Sequence, residues 1–400
     1  MGLGGPERWT YRILQEPSLS TELQRLANPQ STNGIDAIDF QPCHLHEFRT
    51  QDRRCIEDWQ MPSGGYWGFT AIFDGHAGHA TVEHASRTLP SMIRQALDSL
   101  LRSFRGHGLP AAVSGVLSDC IAKFDNSITT DFTRMFPGGP VGLQNMSNAQ
   151  IRHLFQDRTS GSQNLTAATR CLQGSTVILT LTDPLKHNLW IANLGDCQAA
   201  LGSRMHPGDW STAFATTPHN GDNPSEVLRI RGQHPGEPEC MMDDRIVGFL
   251  GPTRTLGDTW LKLPPVFSQR VLLNFRREWN AQRPEAFVAR VKSPPYVSVV
   301  PDVHHIPLPR GSPGRKRDLF LILCSDGLVD LYDGQSRADM IHRWVSVVGR
   351  NIENRTQGNL ALSLLRDGLG GNDVRLVSQR LTVEMEEKWM DDVTIIVQRL

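Results

Sequence analysis

Hydrophobic and polar positions alternate most clearly just ahead of residue 74. Trp67, Phe69, Ala71 and Phe73 interleave with Gly68, Thr70 and Ile72, the period-two pattern of a strand with one strongly apolar face. The run breaks at Asp74-Gly75, where a strand would end in a turn. Leu319 to Ser325 is a continuous apolar run that stops at Asp326-Gly327, and Val393 to Val397 is an apolar run entered through Asp391-Asp392. Gly174 to Thr182 is β-branched, followed by Leu189 to Leu194, a turn at Gly195-Asp196, and Cys197 to Leu201. These predict sequential antiparallel strands. Helical spacing covers Ala80 to Leu101, with Pro90 opening a second helix after a break. It recurs over Ala111 to Phe132, Arg337 to Val347 and Gly358 to Leu365. Asn223-Pro224-Ser225-Glu226 is a helix start, with Asn223 as N-cap and Pro224 in the first position.

The remaining stretches lack a period. Residues 136–170, rich in Gly, Asn, Gln and Ser, are expected to be loop, and 264–297 an irregular insertion. Residues 205–245 are expected to form a mobile flap around one short helix. Residues 1–35 are expected to be a poorly ordered extension, with the single domain running over 36–400. Strands and helices come in separate blocks, which favours an α+β fold over a doubly wound sheet.

The chemistry lies at the strand ends. A carboxylate there is held by buried backbone and still reaches solvent, and Gly75 lets the chain approach whatever Asp74 binds. Each such aspartate alone is an ordinary turn residue. Three of them, at Asp74, Asp326 and Asp391, point to a hard-cation site with oxygen ligands, suited to magnesium or manganese rather than zinc. His76 adds a titratable group two residues on. Arg53-Arg54-Cys55-Ile56-Glu57-Asp58 would reach Asp74 through a short hairpin. Arg53 or Arg54 would then clamp a phosphate, and Glu57 would support a metal directly or through water.

Composition narrows the class. The chain has 400 residues, 39% of them hydrophobic, with Lys+Arg 41 against Asp+Glu 42. That is enough apolar material for a large core and no charge excess for a nucleic-acid partner. No apolar stretch approaches a membrane span. Seven scattered cysteines without a C-x-x-C pair imply reduced thiols in an intracellular protein. Arg8, Arg12 and Arg25 resemble a mitochondrial presequence, whereas Glu7, Glu16 and Glu22 argue against one. Cytoplasm, nucleus and mitochondria therefore all stay open.

Taken together, the motifs resemble those of the metal-dependent protein serine/threonine phosphatases of type 2C. The stretches are Arg53 to Asp58, Phe73 to Gly78, Gly174-Ser175-Thr176, Leu194-Gly195-Asp196, Arg254-Thr255-Leu256-Gly257-Asp258, Cys324 to Gly327 and Asp391 to Thr394. They follow in the family's order over nearly the whole chain. His234-Pro235 and Pro294-Pro295-Tyr296 look most like the pyruvate dehydrogenase phosphatase branch. The resemblance implies a four-layer α-β-β-α sandwich with two central antiparallel sheets. It implies two divalent ions, Mg²⁺ or Mn²⁺, with Asp74 bridging and Gly75 giving its carbonyl. Asp326 and Asp391 would complete one shell, and Glu57, with Asp58 nearby, would serve the other. Asp196 and Asp330 match the ligands of a weaker third ion. The implied reaction is hydrolysis of phosphoserine or phosphothreonine in protein substrates by a metal-bridging hydroxide. In it Arg53 holds the phosphoryl oxygens and His76 protonates the leaving oxygen. A monomer acting without nucleic acid or membrane is expected.

Two departures stand out. Cys197-Gln198 occupy the place of the family's Ser-Arg, and Pro218-His219 that of its Asp-His. A catalytically silent phosphatase fold is the rival reading; it would have lost a metal carboxylate, and none is missing.

Overall fold

The computed structural model describes residues 9–43, 50–62, 64–156, 161–206, 209–274, 284–309, 319–355, 358–385 and 388–400. Its strands are β1 (Gln30–Thr32), β2 (Ile35–Phe40), β3 (Arg53–Gln60), β4 (Tyr66–His76), β5 (Gly174–Thr182), β6 (Asn188–Leu194) and β7 (Gln198–His206). They continue with β8 (Asp209–Ala215), β9 (Met241–Met242), β10 (Arg245–Ile246), β11 (Leu256–Gly257), β12 (Asp302–Pro307), β13 (Leu319–Cys324) and β14 (Val393–Arg399). Helices and antiparallel sheets occur together, so the α+β class holds. The chain divides into two compact units: Met1–Asp52 with Cys197–Thr216 and Pro309–Leu400, and Arg53–Asp196 with Thr217–Leu308.

The first unit is built on an antiparallel sheet in the order β1-β2-β14-β13-β7-β8. Phe320, Ile322 and Cys324 alternate along β13 into a core with Ile395, Val397 and Trp344. Leu321 and Leu323, on the other side of the pleat, are buried as well, which is why this strand appears as an unbroken apolar run. Helices Arg337–Glu353, Leu360–Gly368 and Val374–Thr382 add further residues to that core. The second unit carries the order β12-β6-β5-β4-β3, with β11 paired to β5. Trp67, Phe69, Ala71 and Phe73 of β4 enter its core with Leu89, Ile93 and Phe124 from helices Ala80–Ser103 and Leu109–Thr133.

Four expectations need correction. The N-terminal stretch is integral from residue 18 on: helix Ser18–Ala27 buries Leu19, Leu23 and Ala27, a one-face spacing, and β2 pairs along β14. Residues 1–8 lie outside the described part. Pro90 does not divide the second unit's first long helix, which runs unbroken through it. Burial of Leu89, Ile93 and Leu97 on one face outweighs the lost backbone hydrogen bond. Among the described residues of 139–172 there are three helices, Gly139–Asn145, Asn148–Gln156 and Gly161–Leu172. The middle one opens with a capping box, Gln150 N–H donating to Ser147 Oγ and Ser147 N–H to Gln150 Oε1.

The fourth correction concerns the flap and the insertion. Residues 209–215 belong to sheet strand β8, and residues 207–208 lie outside the described part. Helix Pro224–Gln233, with Asn223 capping as expected, is tied down by Glu226. That buried carboxylate accepts from Arg229, Thr253 and Arg254. The insertion contains helix Pro265–Arg270 and buries Phe267, Val271 and Leu272; residues 275–283 lie outside the described part.

Candidate metal centre

In the second unit, strand register delivers the first two carboxylates. Asp74 pairs opposite Thr176 and His76 opposite Gly174. A Cβ on Gly195 would meet Thr176 Cβ at 2.3 Å, so only a glycine lets the turn after β6 press against β5. Gly195 also sits at φ +117°, a conformation open to glycine. His219 grips this turn from both sides. Its N–H donates to Gly195 O at 2.9 Å, and its Nδ1 accepts from Gly195 N–H at 3.1 Å. Nε2 then carries the proton toward Asp302 Oδ2, 3.1 Å away. Burial holds the His219 pKa below the usual histidine value, helped by the nearby Arg254 charge. The Pro218-His219 departure thus leaves the histidine in a positioning task.

The outcome is that the Asp74 and Asp196 carboxylates have oxygens within 4.8 Å of each other. Asp196 is buried and Asp74 half-buried. Two like charges at that distance repel by roughly 3 kcal/mol at an effective dielectric of 20. A pair of hard oxygen donors in this arrangement fits a divalent cation.

In the first unit, Asp326 opens helix Asp326–Asp330 directly after β13, with Asp330 one turn further on and exposed. A Cβ on Gly327 would strike Asp392 O at 2.0 Å. The Asp-Gly sequence therefore brings the helix start against the entry to β14. Ser325 locks the approach, its Oγ accepting from Thr394 N–H at 2.9 Å. Of the two adjacent aspartates, Asp392 is internal: Gln41 Nε2 and Gln51 N–H each donate to it at 2.8 Å. Asp391 is exposed, and Lys388 Nζ lies 2.7 Å from its Oδ1. Burial alone would lower the lysine's pKa, yet Asp391 and Asp392 outweigh it and hold the ammonium charged.

Sequence reasoning missed Asp52, buried in the same unit. Burial and the charge of Asp392 push its carboxyl well above the usual range, against the pull of Ser325 and Thr394 hydroxyls.

Register corrects the reading of the Arg53–Asp58 stretch. Glu57 pairs opposite Phe69 and Asp58 opposite Gly68. At about 3.3 Å per residue, Glu57 stands roughly 17 Å down the sheet from Asp74. It accepts from Trp59 Nε1 and Cys55 Sγ instead. Neither acid reaches Asp74, because the hairpin is eight pairs long rather than short. The pleat also separates the arginines. Arg53 opposes core residue Phe73, and its Nη2 donates to Glu83 on the covering helix at 2.7 Å. Arg54 opposes Ile72, placing it on the face shared by Asp74 and His76.

His76 closes β4 with Nε2 2.8 Å from Asp258 Oδ2. Asp258 belongs to the Arg254–Asp258 motif, for which the sequence suggested order but no role.

Strand-end carboxylates with a histidine close by on antiparallel sheets suit metal-dependent hydrolysis. The Protein phosphatase 2C family model matches residues 38–365, and the chain belongs to that family. It is a metal-dependent protein serine/threonine phosphatase. A protein phosphatase 2C homolog of Schizosaccharomyces pombe is 28% identical over 91% of this chain and 80% of its own length. The mitochondrial pyruvate dehydrogenase [acetyl-transferring]-phosphatase 1 of Saccharomyces cerevisiae is 28% identical over 69% of this chain and 44% of its own. The fold is similar to the crystal structure of serine-threonine phosphatase 2C from Toxoplasma gondii. That likeness has a TM-score of 0.51 and 18% identity over 93% of this chain and 96% of the other.

Proposed function

We propose that this phosphatase holds two divalent ions, magnesium or manganese, through Asp74, the Gly75 carbonyl, Asp326 and Asp391, with Asp196 and Asp330 serving a weaker third. The observation that carries this reading is the Asp74–Asp196 carboxylate pair, oxygens within 4.8 Å, at the strand end that also carries His76. When bound, such ions supply Lewis acidity and an activated water at neutral pH. The chain's own residues do the rest. Arg54, on the face of Asp74, holds the phosphoryl oxygens by charge-assisted hydrogen bonds. Arg53 is a supporting residue, engaged with Glu83. His76 gives its proton to the departing serine or threonine oxygen, a contribution of about 10²–10⁴-fold.

The substrates are phosphorylated proteins, taken by a monomer without a nucleic-acid or membrane partner. The names of the relatives favour pyruvate dehydrogenase or a kindred phosphoprotein, and mitochondria over cytoplasm or nucleus. Among the described residues no helix is long and apolar enough to cross a membrane.

Chelator-treated protein is expected to release no phosphate from phosphoserine and phosphothreonine peptides, and to recover on adding Mg²⁺ or Mn²⁺. Full turnover in the metal-free protein would contradict the reading. Turnover confined to small phosphoesters would contradict the protein substrate.

A further inference from the structure

Asp258 is 1% exposed, and a buried carboxylate is costly unless it is paired. Thr255 Oγ1 donates to its Oδ2 at 2.7 Å, and His76 Nε2 lies 2.8 Å from the same oxygen. A carboxylate only accepts, so the proton of that hydrogen bond is on Nε2. The ring is thereby held in one orientation, with Nδ1 as its other nitrogen.

The surroundings are shaped for this contact. Gly174 pairs opposite both His76 and Gly257. A Cβ on Gly174 would lie 2.1 Å from Asp258 Oδ2 and 2.2 Å from His76 Nε2. Its bare α-carbon is the slot in which the two side chains meet. Asp258 itself sits at φ +43°, a left-handed conformation that is strained for a non-glycine residue. Several contacts hold it there. Asp258 N–H donates to Gln173 O at 3.0 Å. Buried Asp125 accepts from Gly257 N–H and from Lys262 Nζ, each at 2.8 Å. Lys262 Nζ also donates to Thr255 O at 2.8 Å. An ion pair, a strand pair and an uncommon backbone conformation thus all bear on one carboxylate oxygen, and that oxygen faces His76.

We propose that Asp258 is a positioning residue for catalysis: it accepts from His76 Nε2–H and fixes the orientation of the ring, so that the imidazolium form presents its Nδ1 proton to the leaving oxygen of the substrate and is left as the neutral Nε2–H tautomer. The proposal rests on the reading of His76 as the group that protonates that oxygen. Asp258 touches neither substrate nor ion in this scheme. Its influence therefore depends on how much protonation the leaving group needs.

The experiment compares His76→Ala, Asp258→Ala, Asp258→Asn and the double alanine variant in the full chain with Mn²⁺. Each is assayed on a phosphoserine peptide, whose leaving oxygen is strongly basic, and on p-nitrophenyl phosphate, whose leaving group is not. The Asp258 variants are expected to lower kcat on the phosphopeptide by about 10–100-fold, the usual scale for partners that orient an active group. They should slow p-nitrophenyl phosphate far less and leave Mn²⁺ affinity near wild type. The double variant should be no slower than His76→Ala alone, as for two residues acting as one unit. Imidazole ¹⁵N spectra of the neutral ring, the form left after the proton is given up, should show His76 as the Nε2–H tautomer in the wild type and as a mixture in Asp258→Asn. That variant keeps the side-chain shape and the Thr255 partner, and so carries the test if Asp258→Ala does not fold. Equal slowing of both substrates by the Asp258 variants, additive losses in the double variant, or an unchanged tautomer would each overturn the proposal. If His76→Ala itself slows both substrates alike, the general-acid reading fails and the proposal with it, an outcome distinct from the other three.

Discussion

Asp74→Asn is expected to abolish metal binding and to lower turnover by roughly a thousandfold or more. The substitution exchanges an anionic oxygen for a neutral amide of nearly the same shape. Ionic stabilisation of the reacting phosphoryl group is worth several kcal/mol, and each 1.36 kcal/mol is about tenfold in rate. The fold should not suffer. Asp74 and Asp196 face each other within 4.8 Å, so removing one charge relieves repulsion. The metal-free variant should melt no lower than the metal-free wild type. Phosphate release from a phosphopeptide, Mn²⁺ binding and a thermal melt check the three parts separately. Near-normal turnover would show that Asp74 is an ordinary turn residue.

The second large effect separates the two arginines. Arg54→Ala should raise KM for a phosphopeptide by about 10–100-fold, the loss of charged hydrogen bonds worth roughly 1.5–3 kcal/mol. Metal affinity should stay near normal. Arg53→Ala should leave KM close to wild type, because its guanidinium is engaged with Glu83 on the helix side of the sheet. Its effect should appear as a modest loss of stability. The opposite pattern, a large KM effect for Arg53 and none for Arg54, would restore the assignment made from motif spacing.

That reversal shows which features were legible in the sequence. The strands that lead to the acids were, because β4, β6, β13 and β14 write their burial into alternating or continuous apolar runs. Asp74, Asp326 and Asp391 followed from where those runs stop. Asp391 was chosen over its neighbour from the sequence; the structure adds that Asp392 is taken up by Gln41 and Gln51.

Glu57 and Asp58 were misplaced because a motif was matched without its register. Met61 and the Gly64-Gly65 turn close the β3–β4 hairpin, with Met61 N–H donating to Gly65 O. Counting outward from that turn places Arg53, not Glu57, near Asp74. The helices of 139–172 were hidden by polar composition, although Ser147-Asn148-Ala149-Gln150 is a capping-box sequence. Leu19, Leu23 and Ala27 form a three-residue stripe too short to stand out from a flexible-looking terminus. Asp258 could not be read locally. Its partner lies 182 positions away in the chain, brought close only when β11 pairs with β5.

The most direct test of the central claim is the number and coupling of Mn²⁺ ions bound by the purified full chain. Equilibrium dialysis with metal analysis gives the number, and electron paramagnetic resonance gives the coupling. The account predicts two tightly held ions per chain with the signature of an exchange-coupled pair, lost in Asp74→Asn. One isolated ion, or a coupled pair that persists in Asp74→Asn, would contradict it.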